Sequence, residues 1–202
     1  YTPRDCPVVG TGMLATRDLA SYLRYEDDAP TADEVDLVVG EGQSQCGRFL
    51  RTYLYYGLNL DEAGRQAFDG MLAHIAGGRR GEFNHRYAQP SVQPTPSFGH
   101  QFPFADLPQA DPLTDGAGGL FDRQSAKGGL TKIIYTDTSS EYWRGDAGLS
   151  HCDLSTGGDA EMPANVRRYL FASTQHGPGI AVLARRTMFG SHGQNYLNMI
   201  DY

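Results

Sequence analysis

The sequence predicts an α/β fold in which a mainly parallel sheet is flanked by helices. A β-branched and aliphatic run at 35–39 ends at glycines and passes at once into a helical pattern over 45–56. Two further apolar runs, 130–136 and 166–173, are each followed by a polar loop. Short apolar runs that alternate with helical patterns are typical of parallel strands joined by crossover helices. A chain of 202 residues is long enough to bury a core as one domain, 1–202.

An amphipathic helix is predicted before the first strand, over 12–25. Its apolar side chains are expected to form one buried face, made of Leu14, Leu19, Tyr22 and Leu23. After the first strand, the helix over 45–56 should end at Gly57. A short surface helix is then predicted over 61–66, and a further strand over 67–76 that ends at a glycine-rich break.

The segment 79–128 is rich in Pro, Gly, Phe and Gln and shows little periodicity. Loops of this length inside a compact domain are usually functional lids or binding loops. We therefore predict that 79–128 forms a lid or cap-like insertion in the single domain.

The most informative motif is the glycine–serine turn between the first strand and its helix. Gly42 permits a tight backbone path, and Ser44 would be held in a strained, exposed position where the strand turns into the helix. Cys46 occupies the last position of the Gly-x-Ser-x-Gly pattern, and Gly47 follows one position later. Ser44 is therefore the predicted nucleophile, and the backbone N–H of Gln45 is the predicted oxyanion donor. We expect Cys46 to face the strand and to serve packing.

A carboxylate and a histidine follow the two later strands. Asp137, Glu141 and Asp146 all lie in the loop after the strand at 130–136, and His176 follows the last strand. The chain order serine, carboxylate, histidine is one of the orders in which nucleophilic triads occur. His176 is the predicted base, and position alone leaves the three carboxylates open as the acid.

Five blocks of the sequence together resemble a bacterial group known as the alpha/beta hydrolase domain, which is regarded as a group of serine esterases. The blocks are 44–50, 74–77, 83–90, 141–145 and 174–176. The resemblance implies an α/β-hydrolase fold and a carboxylic-ester hydrolase that works through an acyl-enzyme, without naming the ester. Because Glu141 lies in one of these blocks, it is favoured over Asp137 and Asp146 as the acid of a Ser44–His176–Glu141 triad.

Two other functions are compatible with these motifs. The same triad serves acyl transfer to an acceptor other than water, and a non-catalytic module could keep the fold and bind a small molecule or a partner. Neither alternative is separated from ester hydrolysis by the sequence.

Several other side chains are candidates for contacting the substrate, namely His74, Asn84, His85 and Trp143. For the polar ones, the alternative is hydrogen bonding between the long loop and the core, and for Trp143 it is a place in the core. His85 and His100 show no tight ligand spacing, so the sequence predicts neither a metal site nor a cofactor.

Composition limits the classes of partner. The formal net charge of −7 argues against nucleic acid, and no apolar run approaches the roughly 20 residues of a membrane span. Three cysteines without a C-x-x-C pair do not form a disulfide framework or a zinc ribbon. The partner that the resemblance implies is a small-molecule ester.

The termini suggest a partial or processed chain. The chain begins at Tyr1 and not at a methionine, which is compatible with a secreted or periplasmic protein. Only 34 residues precede Val35, whereas an α/β-hydrolase sheet has several strands before its nucleophile. We expect the fold to be incomplete at both termini, with the missing strands supplied by a second chain or by sequence beyond this one.

Overall fold

A computed structural model describes residues 10–83 and 101–177. The six strands described are β1 (Val39–Gln43), β2 (Gly70–His74), β3 (Gln109–Ala110), β4 (Ala117–Gly118), β5 (Lys132–Thr138) and β6 (Val166–Phe171). The α-helices are α1 (Gly12–Tyr25), α2 (Gln45–Tyr55), α3 (Asp122–Lys127) and α4 (Ser139–Arg144), and a 3₁₀ turn covers Ala147–Ser150. The central sheet has the order β1–β2–β5–β6, and β3 pairs with β4 in a separate antiparallel ladder.

All three pairings in the central sheet are parallel. Their register aligns Gln43 with His74, His74 with Thr136, and Thr136 with Tyr169. Because parallel strands end at the same edge of a sheet, the residues that follow all four strands meet at that edge. The fold therefore brings together distant parts of the sequence where a site is expected.

The core lies on one face of this sheet and includes the apolar side of α2. The buried core residues that come from β2, β5, β6 and α2 include Met71, Ala73, Ile133, Tyr135, Val166, Leu50, Tyr53 and Leu54. Burial of apolar side chains of this size contributes about 1.5–3 kcal/mol each relative to exposure. This packing holds α2, and with it the turn before α2, rigidly against β1 and β2.

The described part of the predicted lid packs on this core. Phe104, Leu120 and Phe121 are buried, and the Arg168–Asp106 ion pair of 2.6 Å ties this segment to β6. Tyr135 donates a hydrogen bond of 2.9 Å to the same Asp106 carboxylate. Residues 101–128 are thus anchored to the sheet at these positions, and 84–100 lie outside the described residues.

The predicted strands at 67–76, 130–136 and 166–173 and the helix at 45–56 match β2, β5, β6 and α2 to within a few residues. The first strand begins later than predicted, at Val39, because pairing with β2 starts there. Leu37 and Val39 are 72% and 64% exposed, and among the described residues the side of β1 away from β2 pairs with no strand.

The predicted buried face of the first helix is wrong. Leu14, Leu19 and Tyr22 are exposed, and the buried residues of α1 are Met13, Arg17, Ala20 and Ser21. Arg17 pairs with Glu62, and Ser21 donates a hydrogen bond of 2.5 Å to Asp61. The polar stripe of α1 therefore docks on the polar loop after α2.

The predicted surface helix at 61–66 is also wrong. Leu60 and Gln66 form an antiparallel bridge across a turn. The Asp61 carboxylate accepts hydrogen bonds from the backbone N–H groups of Ala63 and Arg65, at 3.0 and 2.8 Å. Such side-chain bonds compete with helical backbone bonds, and this aspartate closes a turn.

Asp61 is expected to make stability depend on pH. Burial opposes its ionisation, but hydrogen bonds from Ser21 and Arg65 lower the Asp61 pKa from 3.8 to about 2. Because the folded-state pKa lies below the unfolded value, ionised Asp61 stabilises the fold above about pH 4, and this contribution is lost as pH falls through about 2. Urea unfolding measured between these two pH values should show the free energy of unfolding decrease as the pH falls.

Asp61→Asn should remove that part of the pH dependence. The exposed Asp115→Asn serves as the matched control and should leave it in place. An Asp61→Asn protein that loses stability on acidification as steeply as the parent would contradict the assignment.

Candidate active site

Ser44 sits on a strained turn between β1 and α2. Its backbone dihedrals, φ 56° and ψ −115°, fall outside the regions that L-residues normally adopt. The Ser44 N–H donates to the His74 carbonyl at 2.8 Å, and the Arg48 N–H donates to the Ser44 carbonyl at 3.0 Å. Strain of this kind persists only where surrounding structure fixes it, and it is common at functional sites.

Two glycines allow the turn to close. A Cβ at Gly42 would lie 2.4 Å from the Cys46 carbonyl oxygen, and a Cβ at Gly47 would lie 2.9 Å from the Ala76 Cβ. The close approach of helix and strand thus occurs at Gly47.

Cys46 is exposed, so the expectation that it faces the strand is wrong. Consecutive helical residues point about 100° apart, and Gly47, not Cys46, faces the sheet.

Replacing Gly47 by alanine is expected to destabilise the protein by roughly 1–3 kcal/mol, because the new methyl group must displace Ala76 or the backbone of the turn. Chemical denaturation measures this loss. Gly70→Ala is the matched control, since a Cβ there would meet its nearest neighbour at an ordinary 3.7 Å. Equal stability of the two variants would show that the close approach at Gly47 is not needed.

The structure brings Ser44, His176 and Glu141 together. The Ser44 Oγ lies 2.8 Å from His176 Nε2, and His176 Nδ1 lies 2.5 Å from Glu141 Oε1. His176 follows the end of β6 and is half exposed, whereas Glu141 is only 3% exposed. A continuous row of hydrogen bonds therefore joins a buried carboxylate to the serine hydroxyl.

Glu141 is oriented by the start of its own helix. The Thr138 N–H and hydroxyl both donate to Glu141 Oε2, at 2.7 and 2.5 Å. This is a capping box, in which the third helical residue bonds back to the residue before the helix. The box fixes one carboxylate oxygen and directs the other toward His176.

The two alternative carboxylates bond elsewhere. Asp137 accepts a hydrogen bond from the Gly77 N–H at 3.2 Å, and burial raises the Asp137 pKa. Asp146 pairs with Arg79 at 2.7 Å. Among the three carboxylates left open by the sequence, Glu141 is the one that bonds His176.

The other candidate residues have different positions. His74 ends β2, and its Nδ1 lies 2.7 Å from the Thr136 hydroxyl; burial lowers the His74 pKa. Trp143 on α4 is 86% exposed, so the alternative of a core tryptophan is wrong. Asn84 and His85 lie outside the described residues.

A cavity of about 140 Å³ adjoins the serine–histidine–glutamate cluster. Its lining includes Arg48, Ile75, Glu141, Arg144 and His176. Sequence reasoning missed Arg48, whose residue is only 7% exposed. Its spacing could have indicated it, because residues four apart share one face of a helix and Arg48 follows Ser44 by four.

Within 10–83 and 101–177, no group of three His, Cys, Asp or Glu side chains is placed to hold a metal ion. In the same ranges, no helix has the length and apolar character required to cross a membrane.

Comparison with known families gives one match. The sequence matches the family described as alpha/beta hydrolase domain over residues 1–196. No curated protein and no solved structure matches the chain. The parallel sheet flanked by helices agrees with the family match, and both the predicted fold class and the resemblance are confirmed. The chain therefore belongs to the alpha/beta hydrolase domain family, whose match extends over nearly its whole length.

Proposed function

We propose that this protein is a serine hydrolase that cleaves carboxylic esters through an acyl-enzyme. Family membership supports a hydrolase in general. The observation that supports the finer proposal most strongly is the row of hydrogen bonds from Ser44 Oγ through the His176 ring to Glu141. A serine hydroxyl alone is a weak nucleophile, and an adjacent base that is itself oriented by a third group supplies the activation.

In the proposed reaction, Ser44 Oγ attacks the ester carbonyl carbon while its proton passes to His176 Nε2. The tetrahedral intermediate then collapses, the carbon–oxygen bond to the alcohol breaks, and Nε2 returns the proton to the departing alcohol oxygen. Water, deprotonated by the same nitrogen, attacks the acyl-enzyme, and Ser44 recovers its proton as the acid leaves. Each half of the cycle ends with the imidazole neutral, so protons balance.

Glu141 has two roles in this proposal. Its Oε1 accepts the Nδ1–H, which keeps Nε2 free to take the serine proton, and its charge stabilises the imidazolium that forms. At 3% exposure the Glu141 carboxylate is shielded from water. Attraction between opposite charges is stronger in such a shielded environment than in water.

The negative charge that develops on the carbonyl oxygen needs donors. Gln45 is the first residue of α2, directly after Ser44, and its backbone N–H is the proposed donor. The helix N-terminus adds a favourable dipole for the same charge. Removing one such donor typically costs about 2.7–4 kcal/mol in the transition state.

The proposal is tested by labelling with a fluorophosphonate, which transfers its phosphonyl group to an activated serine and releases fluoride. We expect one adduct, located at Ser44 by peptide mass spectrometry, together with release of 4-nitrophenol from 4-nitrophenyl acetate. Ser44→Ala should abolish both signals. Ser125→Ala, which changes an exposed serine on α3 away from the cavity, should keep both. A folded protein that takes no label and releases no nitrophenol would support the non-catalytic module instead.

A further inference from the structure

Arg48 is a buried cation that the proposed mechanism does not use. Its backbone belongs to α2, and its side chain lines the cavity beside Glu141 and His176. The residue is only 7% exposed, its side chain opens on the cavity, and within the described residues its guanidinium makes no hydrogen bond and no ion pair. A guanidinium stays charged in proteins and carries five N–H donors. Buried charges are ordinarily paired, because an unpaired one is costly.

The charges around the cavity favour an anion. Arg48 lines it from α2, and the carboxylate in the same lining is that of Glu141. That carboxylate is already committed, since Thr138 bonds one of its oxygens and His176 bonds the other. The fork of donors on an arginine matches the two oxygens of a carboxylate or of a phosphate.

The position of the cavity ties such an anion to the ester. His176 lines the cavity, and its Nε2 lies 2.8 Å from Ser44 Oγ. About 140 Å³ holds a small group and not a second large ligand. We propose that Arg48 binds a carboxylate or phosphate group of the substrate, so that the enzyme takes esters carrying an anionic group close to the scissile bond. This inference rests on the proposed ester hydrolysis.

A different role for Arg48 makes a different prediction. Its charge attracts Glu141 and could act only through that carboxylate, as a positioning residue. Loss of Arg48 would then slow all esters by the same factor. Binding of a substrate anion instead changes the preference between anionic and neutral esters.

The test uses matched ester pairs. For an anion on the acyl side, monomethyl succinate is compared with the neutral isostere methyl 4-methylpentanoate. For an anion on the alcohol side, 3-carboxyphenyl acetate is compared with phenyl acetate. We expect the wild-type protein to prefer the anionic member of at least one pair in kcat/KM, and the responding pair identifies the side.

In Arg48→Gln this preference should fall roughly 10–100-fold, as expected for loss of a hydrogen bond to a charged group. Arg48→Lys keeps the positive charge but lacks the paired N–H donors of a guanidinium, so its preference for the anionic ester should fall less. If Arg48→Gln does not fold, the preference is measured on Arg48→Lys instead. Arg167→Gln, an exposed arginine near the start of β6, should leave the preference unchanged. A wild-type protein without preference in either pair, or an equal loss on both members of a pair, would overturn the inference.

A binding measurement separates this inference from the proposed function. Calorimetric titration of Ser44→Ala with monomethyl succinate, an anion, should show binding that neutral dimethyl succinate lacks. The double variant Ser44→Ala/Arg48→Gln should lose it. Anion binding without any ester hydrolysis would contradict only the proposed function. Hydrolysis of esters without anion preference or anion binding would contradict only the role of Arg48.

Discussion

Replacing His176 by alanine is expected to lower kcat for ester hydrolysis roughly 10⁴–10⁶-fold, because the proposed triad then has no group to accept the serine proton. The hydroxyl of Ser44 would remain on its strained turn, 2.8 Å from where Nε2 had been. His176 is half exposed, but its truncation leaves Oε1 of the buried Glu141 without this partner, so we expect a modest loss of stability in a protein that still folds. Initial rates with a 4-nitrophenyl ester, together with a thermal unfolding curve, measure both quantities.

His151→Ala is the matched control for His176. His151 is also a partly exposed histidine near α4, but its Nε2 lies 2.8 Å from the Tyr142 hydroxyl and not from the serine. We expect this variant to change kcat by no more than a few-fold. If both variants keep near-parental rates, the imidazole beside Ser44 is not the base and the proposed mechanism is wrong.

The glycine–serine turn and the order of the elements along the chain were predictable because they depend on local sequence and on general rules of parallel sheets. Glycines before a serine and a helical pattern after it indicate Ser44, and the chain order places His176 after the last strand. Parallel strands end at one edge, so two residues 132 positions apart meet without any long-range signal in the sequence. Both features follow from rules that need no knowledge of side-chain packing.

The failures have a common physical origin. The buried face of α1 and the direction of Cys46 depend on what lies opposite, which periodicity does not reveal. Arg17 and Ser21 are buried because Glu62 and Asp61 offer partners, and this outweighs the apolar stripe. Tertiary contacts of this kind override local patterns whenever a polar group finds a buried partner.

Position in the sequence left three carboxylates open as the acid of the triad, although a local sequence signal distinguishes Glu141 from the other two. Thr138-Ser139-Ser140-Glu141 is a capping-box sequence, with a threonine followed three residues later by a glutamate. Such a box predicts that a helix starts at Ser139 and that the Glu141 side chain turns back toward Thr138. That geometry distinguishes Glu141 from Asp137, which lies within the strand, and from Asp146, which follows the helix.

Replacing Glu141 by glutamine is therefore expected to lower kcat roughly 10⁴-fold while preserving the fold. The glutamine oxygen can still accept the Thr138 N–H, so the capping box and α4 should survive. Its NH₂ would face His176 Nδ1 and donate to it, which forces the proton of the neutral ring onto Nε2. A protonated Nε2 cannot accept the Ser44 proton, and the charge that stabilised the imidazolium is lost as well.

Two aspartate variants complete the experiment. Asp137→Asn keeps an oxygen for the Gly77 N–H, and Asp146→Asn keeps an oxygen for Arg79 Nε while it loses the charge of that ion pair. Both should therefore retain kcat within a few-fold when measured beside Glu141→Gln with the same ester. If kcat of either aspartate variant fell by orders of magnitude while Glu141→Gln stayed active, that aspartate would be the acid. The 2.5 Å contact between Glu141 and His176 would then have no part in catalysis.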